Sequence, residues 1–260
     1  MQQSARPVPT LRVAAAQGCS VPGDLAANAA AAARLVREAA AAGARLVVLP
    51  ELFLPGYEPA LVAADPQHLA LDAAAPLADP RLEPLVRACA ATATTAVVGA
   101  AVREGATVLL SALVVSAGGE LLTRYDKQHL HPGEEAVFTP GTAPGTFELD
   151  GWRLGLGICA DSGVAAHARA AAVRGAHAYL VGGLFGVGGG EREVRDRFPA
   201  RARDNGVYAL LSNHAGPAGE WTGCGGSGVW DPRGRPVVRA GRDEGVVVAE
   251  LHPAELHPGG

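Results

Sequence analysis

Positive charge is sparse and nowhere massed: the 260 residues carry a formal net charge of -4, with a single lysine and scattered arginines. That excludes the basic patch or stripe by which a protein holds nucleic acid, and no nucleic-acid partner is expected. Cysteine is scarce too. The four residues Cys19, Cys89, Cys159 and Cys224 lie far apart and form no CxxC pair, so neither a zinc knuckle nor a disulfide framework is indicated, and a reducing cytoplasm suits them. No apolar run reaches the length of a membrane span. The opening MQQSARPVPT lacks the charged and apolar regions of a signal peptide, so a cytoplasmic protein with no membrane partner is expected. The length predicts one domain over residues 1–260, with 1–9 as a flexible N-terminal segment.

What is present reads as alternating strands and helices. LRVAAAQ is a short buried strand, and Asp24 is placed to cap an Ala-rich helix that runs to about Ala42, where Gly43 supplies the left-handed terminus. RLVVLP is apolar throughout, the pattern of a strand covered on both faces. A helix near Arg81–Ala93 leads into AVVGAAV, and TVLLSALVVS with ELLTRY reads as a hairpin. TFELD turns at Asp150 and Gly151 into WRLGLGI, and VAAHARAAAVRG is helical up to Gly175. AYLVGG and VYALLSN are further buried strands around a helix disturbed by Pro199. GVGGG, at Gly186–Gly190, lacks the spacing of a dinucleotide fingerprint and reads as a mobile loop. The alternation predicts a layered α/β protein with mixed sheets.

Cys159, in LGLGICADSG, closes an apolar strand and opens onto a helical segment. A thiol at such a junction is expected to meet helix-terminal amides that favour the thiolate. Two other strand ends carry chemistry: Glu51 in LVVLPELFLPGY, and Lys127 in LLTRYDKQHLHPGEEAVFTPG.

In the order Glu, Lys, Cys, and with the PG of LPGY and FTPG, these segments resemble the nitrilase superfamily of carbon-nitrogen hydrolases. The likeness runs from LRVAAAQ to the GGSGVWDPRG turn. It implies a four-layer αββα sandwich, two mixed sheets face to face with helices outside. It also implies a cofactor-free, metal-free hydrolase of non-peptide carbon-nitrogen bonds, working on a small amide or N-carbamoyl compound through a thioester and releasing ammonia. A small nitrile is the alternative substrate, and a homodimer or larger homo-oligomer the implied assembly. Glu51 would be the base for the Cys159 thiol, because a thiol near its free pKa is mostly protonated at neutral pH. Lys127 and the N–H of Ala160 would face the oxyanion. The family's second glutamate falls on Glu134 or Glu135. Counting back from FTPG favours Glu134, pointing inward from an extended segment, and leaves Glu135 among the substrate contacts with Tyr57, His167 and Asn213.

The sequence departs from the family pattern at Ala160, where an aromatic residue is common, and at Ala165 and Ala166, where a Pro-Glu pair is usual. A reading of another class takes His129 and His131 as an HxH metal pair completed by His167 or His214. It leaves Glu51, Lys127 and Cys159 unexplained.

Overall fold

The computed structural model describes residues 8–256. In chain order these form β1 (Leu11–Gln17), α1 (Leu25–Ala41), β2 (Leu46–Val48), α2 (Pro59–Ala64), α3 (Pro66–Leu69), β3 (Ala70–Asp72) and α4 (Glu83–Thr92). Next come β4 (Thr95–Glu104), β5 (Thr107–Val115), β6 (Leu121–Asp126), β7 (Thr146–Leu149), β8 (Trp152–Ile158), α5 (Ala165–Val173), β9 (Ala178–Gly183) and α6 (Gly190–Asn205). β10 (Tyr208–Asn213), β11 (Ala215–Ala218), β12 (Trp221–Cys224), β13 (Gly228–Trp230), β14 (Pro236–Arg239) and β15 (Gly245–Leu251) complete the series.

One sheet runs in the order β15-β1-β2-β4-β5-β6, with β3 paired to β4, and the other in the order β14-β13-β10-β9-β8-β7. β1 lies over β10, β2 over β9 and β5 over β8, while α1 and α4 pack together on one outer side and α5 and α6 on the other. This is the expected αββα sandwich. Strands covered on both faces show no alternation: every residue of β2 and the stretch Leu154–Ile158 of β8 are buried. In α1, Asp24 caps the helix by accepting from the Ala27 N–H at 2.9 Å, and Gly43 takes the left-handed φ of 83°.

Three local expectations are corrected. A 3-10 turn, Cys159–Gly163, separates Cys159 from α5, so the thiol does not sit at that helix's N-terminus. Residues 1–7 of the expected flexible segment lie outside the described residues, but Pro9 is tied down, its carbonyl accepting from the Trp152 indole at 2.7 Å. GVGGG is not a free loop: Val187 N–H donates to Thr222 O at 2.9 Å, and Gly190 opens α6, which runs on through Pro199. That contact docks the segment on the hairpin of β11 and β12, an element that the sequence did not suggest.

The chain leaving β2 threads between the two sheets, held to β4 by Leu49 N–H to Val97 O at 2.8 Å and Leu54 N–H to Gly99 O at 2.9 Å. Glycine walls this passage on both sides. A Cβ at Gly99 would stand 2.2 Å from Leu52 N, and one at Gly182 would stand 2.7 Å from Leu49 O. Backbone cannot yield as a side-chain tip can. Gly99→Ala is therefore expected to destabilise by about 1–3 kcal/mol, whereas Gly241→Ala, which meets nothing within 4 Å, should leave the thermal melt unchanged.

Candidate active site

Three segments converge where the strands of both sheets end. Glu51 follows β2, Lys127 follows β6, and Cys159 follows β8. The turns that carry them are strained: Leu52 and Cys159 have φ of 49° and 40°, in the left-handed region that costs a non-glycine residue energy. Such strain persists only where surrounding contacts hold it, and here they hold it at two of the three segments.

Lys127 is the only lysine in the sequence, and it is completely buried. Its Nζ donates to Glu51 Oε1 at 2.5 Å and to Glu134 Oε1 and Oε2 at 2.8 and 2.7 Å. Glu134 is fixed further by the Tyr57 hydroxyl at 2.7 Å on Oε1 and by the His131 N–H at 2.8 Å on Oε2. The other Glu51 oxygen, Oε2, is buried and has no protein partner. A buried, unpaired acceptor is costly and calls for an explanation. Here it leaves Glu51 one lone-pair site open for a transferring proton.

One ammonium cannot balance two buried carboxylates. Burial pushes the Glu51 carboxyl up to about 7, against the pull of Lys127 and with the help of the Glu134 charge. Burial also works against the Lys127 ammonium, but Glu51, Cys159 and Glu134 outweigh it and keep the lysine charged. The Cys159 thiol is pushed up by burial and by Glu51, only partly offset by Lys127. The sequence pointed to a favoured thiolate; the structure holds a neutral thiol, because desolvation exceeds what one nearby cation restores. The Sγ donates to Leu184 O at 3.7 Å.

Cys159 opens onto a cavity of about 400 Å³ whose wall includes Tyr57, Ala160, His131, Phe185, Arg197 and Trp221. Tyr57 and Ala160, expected as substrate contacts, both line this cavity. His131, Phe185, Arg197 and the glycines at 186, 189 and 190 were not foreseen, since loop and helix residues carry no periodic signal that aims them at a pocket.

Three expected substrate contacts are displaced from this cavity. Glu135 is exposed, because Glu134–Ala136 is a 3-10 turn and not an extended segment, and its side chain turns away from Lys127. Asn213 is buried behind the wall, where its amide clamps Phe185, accepting from the N–H at 2.7 Å and donating to the O at 3.1 Å. His167 borders a separate hollow of about 160 Å³ and belongs to a polar chain. Tyr125 donates its hydroxyl to Asp161 Oδ2 at 2.7 Å, so its oxygen accepts from His167 Nε2 at 2.7 Å, and His167 Nδ1 accepts from the Tyr179 hydroxyl at 2.9 Å. Asp161 Oδ2 also takes the Ile158 N–H at 2.9 Å, and Oδ1 the N–H groups of Gln128 and His129 at 3.2 and 2.8 Å. One carboxylate thereby joins the residue before Cys159 to the two after Lys127.

The rings of His129 and His131 diverge, the first lying against His167 at 5.8 Å between centroids and the second against Trp221 at 6.1 Å. Among the described residues no three His, Cys, Asp or Glu side chains gather as a metal site would require. No helix among them is long and apolar enough to cross a membrane.

Since Glu134 holds Lys127 through both oxygens while Glu135 touches nothing at the site, their substitutions should separate sharply. Glu134→Gln is expected to lower kcat/KM for a small amide by roughly a hundredfold or more, and Glu135→Gln to be nearly silent, in steady-state assays of ammonia release.

The chain is similar in sequence and fold to known proteins. The family model described as carbon-nitrogen hydrolase matches residues 12–258. An (R)-stereoselective amidase from a Pseudomonas species is 33% identical over 81% of this chain and 74% of its own. A cysteine-to-alanine variant of an amidase of the nitrilase superfamily from Nesterenkonia superposes with a TM-score of 0.84 at 30% identity, over 95% of this chain and 92% of that one. A second structure of that amidase, with TM-score 0.83 and 31% identity over 94% of each chain, shows Michael addition of acrylamide at the active-site cysteine. On the match over nearly its whole length, with strand-end residues in the family's order, this chain belongs to the carbon-nitrogen hydrolase family.

Proposed function

We propose that the protein is a cysteine amidase cleaving a small amide or N-carbamoyl compound, with Cys159 as nucleophile, Glu51 as proton carrier and Lys127 and Glu134 as charge-bearing partners. The observation that carries this reading is the buried ammonium of Lys127 on one Glu51 oxygen, with the other oxygen unpartnered and the Glu51 and Cys159 groups close enough to act on each other's acidity. The likeness to enzymes named as amidases supports an amide over a nitrile. A cavity of about 400 Å³ suits a small acyl group. The single domain, the cytoplasmic setting and a homodimer belong to the same proposal; Val173, 80% exposed at the end of α5, offers an apolar contact for a second copy.

The reaction follows from the charges. As Sγ attacks the amide carbonyl, its proton passes to Glu51 Oε2, and the carbonyl oxygen becomes an anion that the Lys127 ammonium and the Ala160 N–H face. Glu51 then protonates the departing nitrogen, the C–N bond breaks and ammonia leaves a thioester. Water attacks the thioester while Glu51 takes its proton, and the carboxylic acid departs as that proton returns to sulfur. A neutral resting thiol fits this scheme, since proton removal coincides with attack. The same residue gives and takes a proton in each half-reaction, which suits a carboxyl held near 7.

Two outcomes test the reading. Intact-mass analysis with a slow amide should show an acyl adduct on Cys159. Cys159→Ala should abolish turnover while the fold is kept, and Cys19, Cys89 and Cys224 should tolerate the same change. An adduct on another cysteine would overturn the assignment. The second outcome is a pH profile. Because Glu51 must be ionised to receive the thiol proton, kcat/KM should fall below an apparent pKa near 7, and a flat profile from pH 5 to 8 would remove Glu51 as the base.

A further inference from the structure

His214 is completely buried, one residue beyond β10, and the backbone around it joins four parts of the molecule. Its N–H donates to Gly183 O at 3.2 Å, its carbonyl accepts from Gly225 N–H at 3.0 Å, and it forms a parallel bridge with Gly18, the residue after β1. The imidazole is fixed as well, stacked near Phe53 at 6.1 Å and edge-on to Tyr57 at 6.4 Å. Its Nε2 lies 2.6 Å from the backbone oxygen of Glu51. A carbonyl only accepts, so Nε2 carries the hydrogen and donates it.

The other ring nitrogen, Nδ1, is buried with no protein partner. A proton there would be an unpaired buried charge, and burial accordingly lowers the ring's pKa to about 4. The ring is thus a neutral donor at working pH, in a single tautomer set by geometry. Its acceptor is the carbonyl of the residue whose carboxyl carries the proton in the proposed reaction. The peptide after that carbonyl leads to Leu52, whose φ of 49° is strained.

We infer that His214 is a positioning residue: its Nε2–H holds the Glu51 peptide in the strained turn and so aims the Glu51 carboxyl at Lys127 and Cys159. The inference rests on the proposed role of Glu51. A hydrogen bond made to backbone rather than to substrate should matter for turnover and hardly for binding. Misplacing a catalytic group by about 1 Å is enough to cost a hundredfold in rate.

Three variants test it, each checked for fold by its thermal melt. His214→Gln places its amide nitrogen where Nε2 stands. His214→Asn places one where Nδ1 stands, and His214→Phe keeps the ring but no donor. The expected result is kcat for Gln within about threefold of wild type, with Asn and Phe lower by roughly tenfold to a hundredfold and KM within about twofold in all three. Gln falling as far as Asn, or Phe keeping wild-type turnover, would overturn the inference, and the Gln–Asn contrast stands even where Phe fails to fold. Wild-type protein in the same preparation, showing turnover and an acyl adduct on Cys159, reports separately on the proposed reaction, so equal Gln and Asn variants count against His214 alone.

Discussion

A single buried ammonium organises this protein. Lys127 has no water to share its charge, and transfer from water to a protein interior is affordable for an ion only where opposite charge and hydrogen bonds replace the lost solvent. Two carboxylates do so, and their combined charge exceeds what one cation neutralises. Burial raises the Glu51 carboxyl to about 7 and pushes the Cys159 thiol up, and the Glu134 charge adds to both shifts while Lys127 opposes them. The unusual acidities at this site thus share one leading cause, desolvation, which the charge imbalance reinforces. One Glu51 oxygen is left without a partner while both Glu134 oxygens are engaged.

Holding three strand ends together against that imbalance requires rigid connections, and the chain supplies them from unrelated positions. Asp161 ties the Lys127 segment to the nucleophile turn. Arg201, from α6, secures the turn's far end by donating to Ser162 O at 2.7 Å and Gly163 O at 3.0 Å. Gly99 and Gly182 leave the passage through which the Glu51 segment runs. Strain at Leu52 and Cys159 is tolerable because each strained residue has packed or hydrogen-bonded backbone on both sides.

Much of this was legible in the sequence, for identifiable reasons. Strands buried on both faces write themselves as unbroken apolar runs, and Asp24 and Gly43 mark the ends of α1 by capping chemistry, so the layers could be read directly. Glu51 and Cys159 stood out because each ends such a run with a reactive group, and Lys127 because its segment resembles the corresponding one of the nitrilase superfamily. What escaped was orientation in irregular backbone. Counting back from FTPG singled out Glu134, though not from the 3-10 turn that carries it, and nothing local tells that Asn213 faces a loop and His167 a tyrosine pair. Those directions are set by contacts distant in the sequence, 28 positions apart between Asn213 and Phe185 and 42 between His167 and Tyr125. The cavity wall of Gly186–Gly190 was misjudged for a related reason: its order comes from a hairpin that only the tertiary fold brings alongside.

The solitary lysine has a consequence for the outer surface. Among the described residues every exposed side-chain cation is a guanidinium or an imidazole, since the one side-chain amine is buried. Acylating reagents, and cellular enzymes that modify lysine, find no side-chain amine until the sandwich opens. Reaction at Lys127 would therefore be a clock for unfolding.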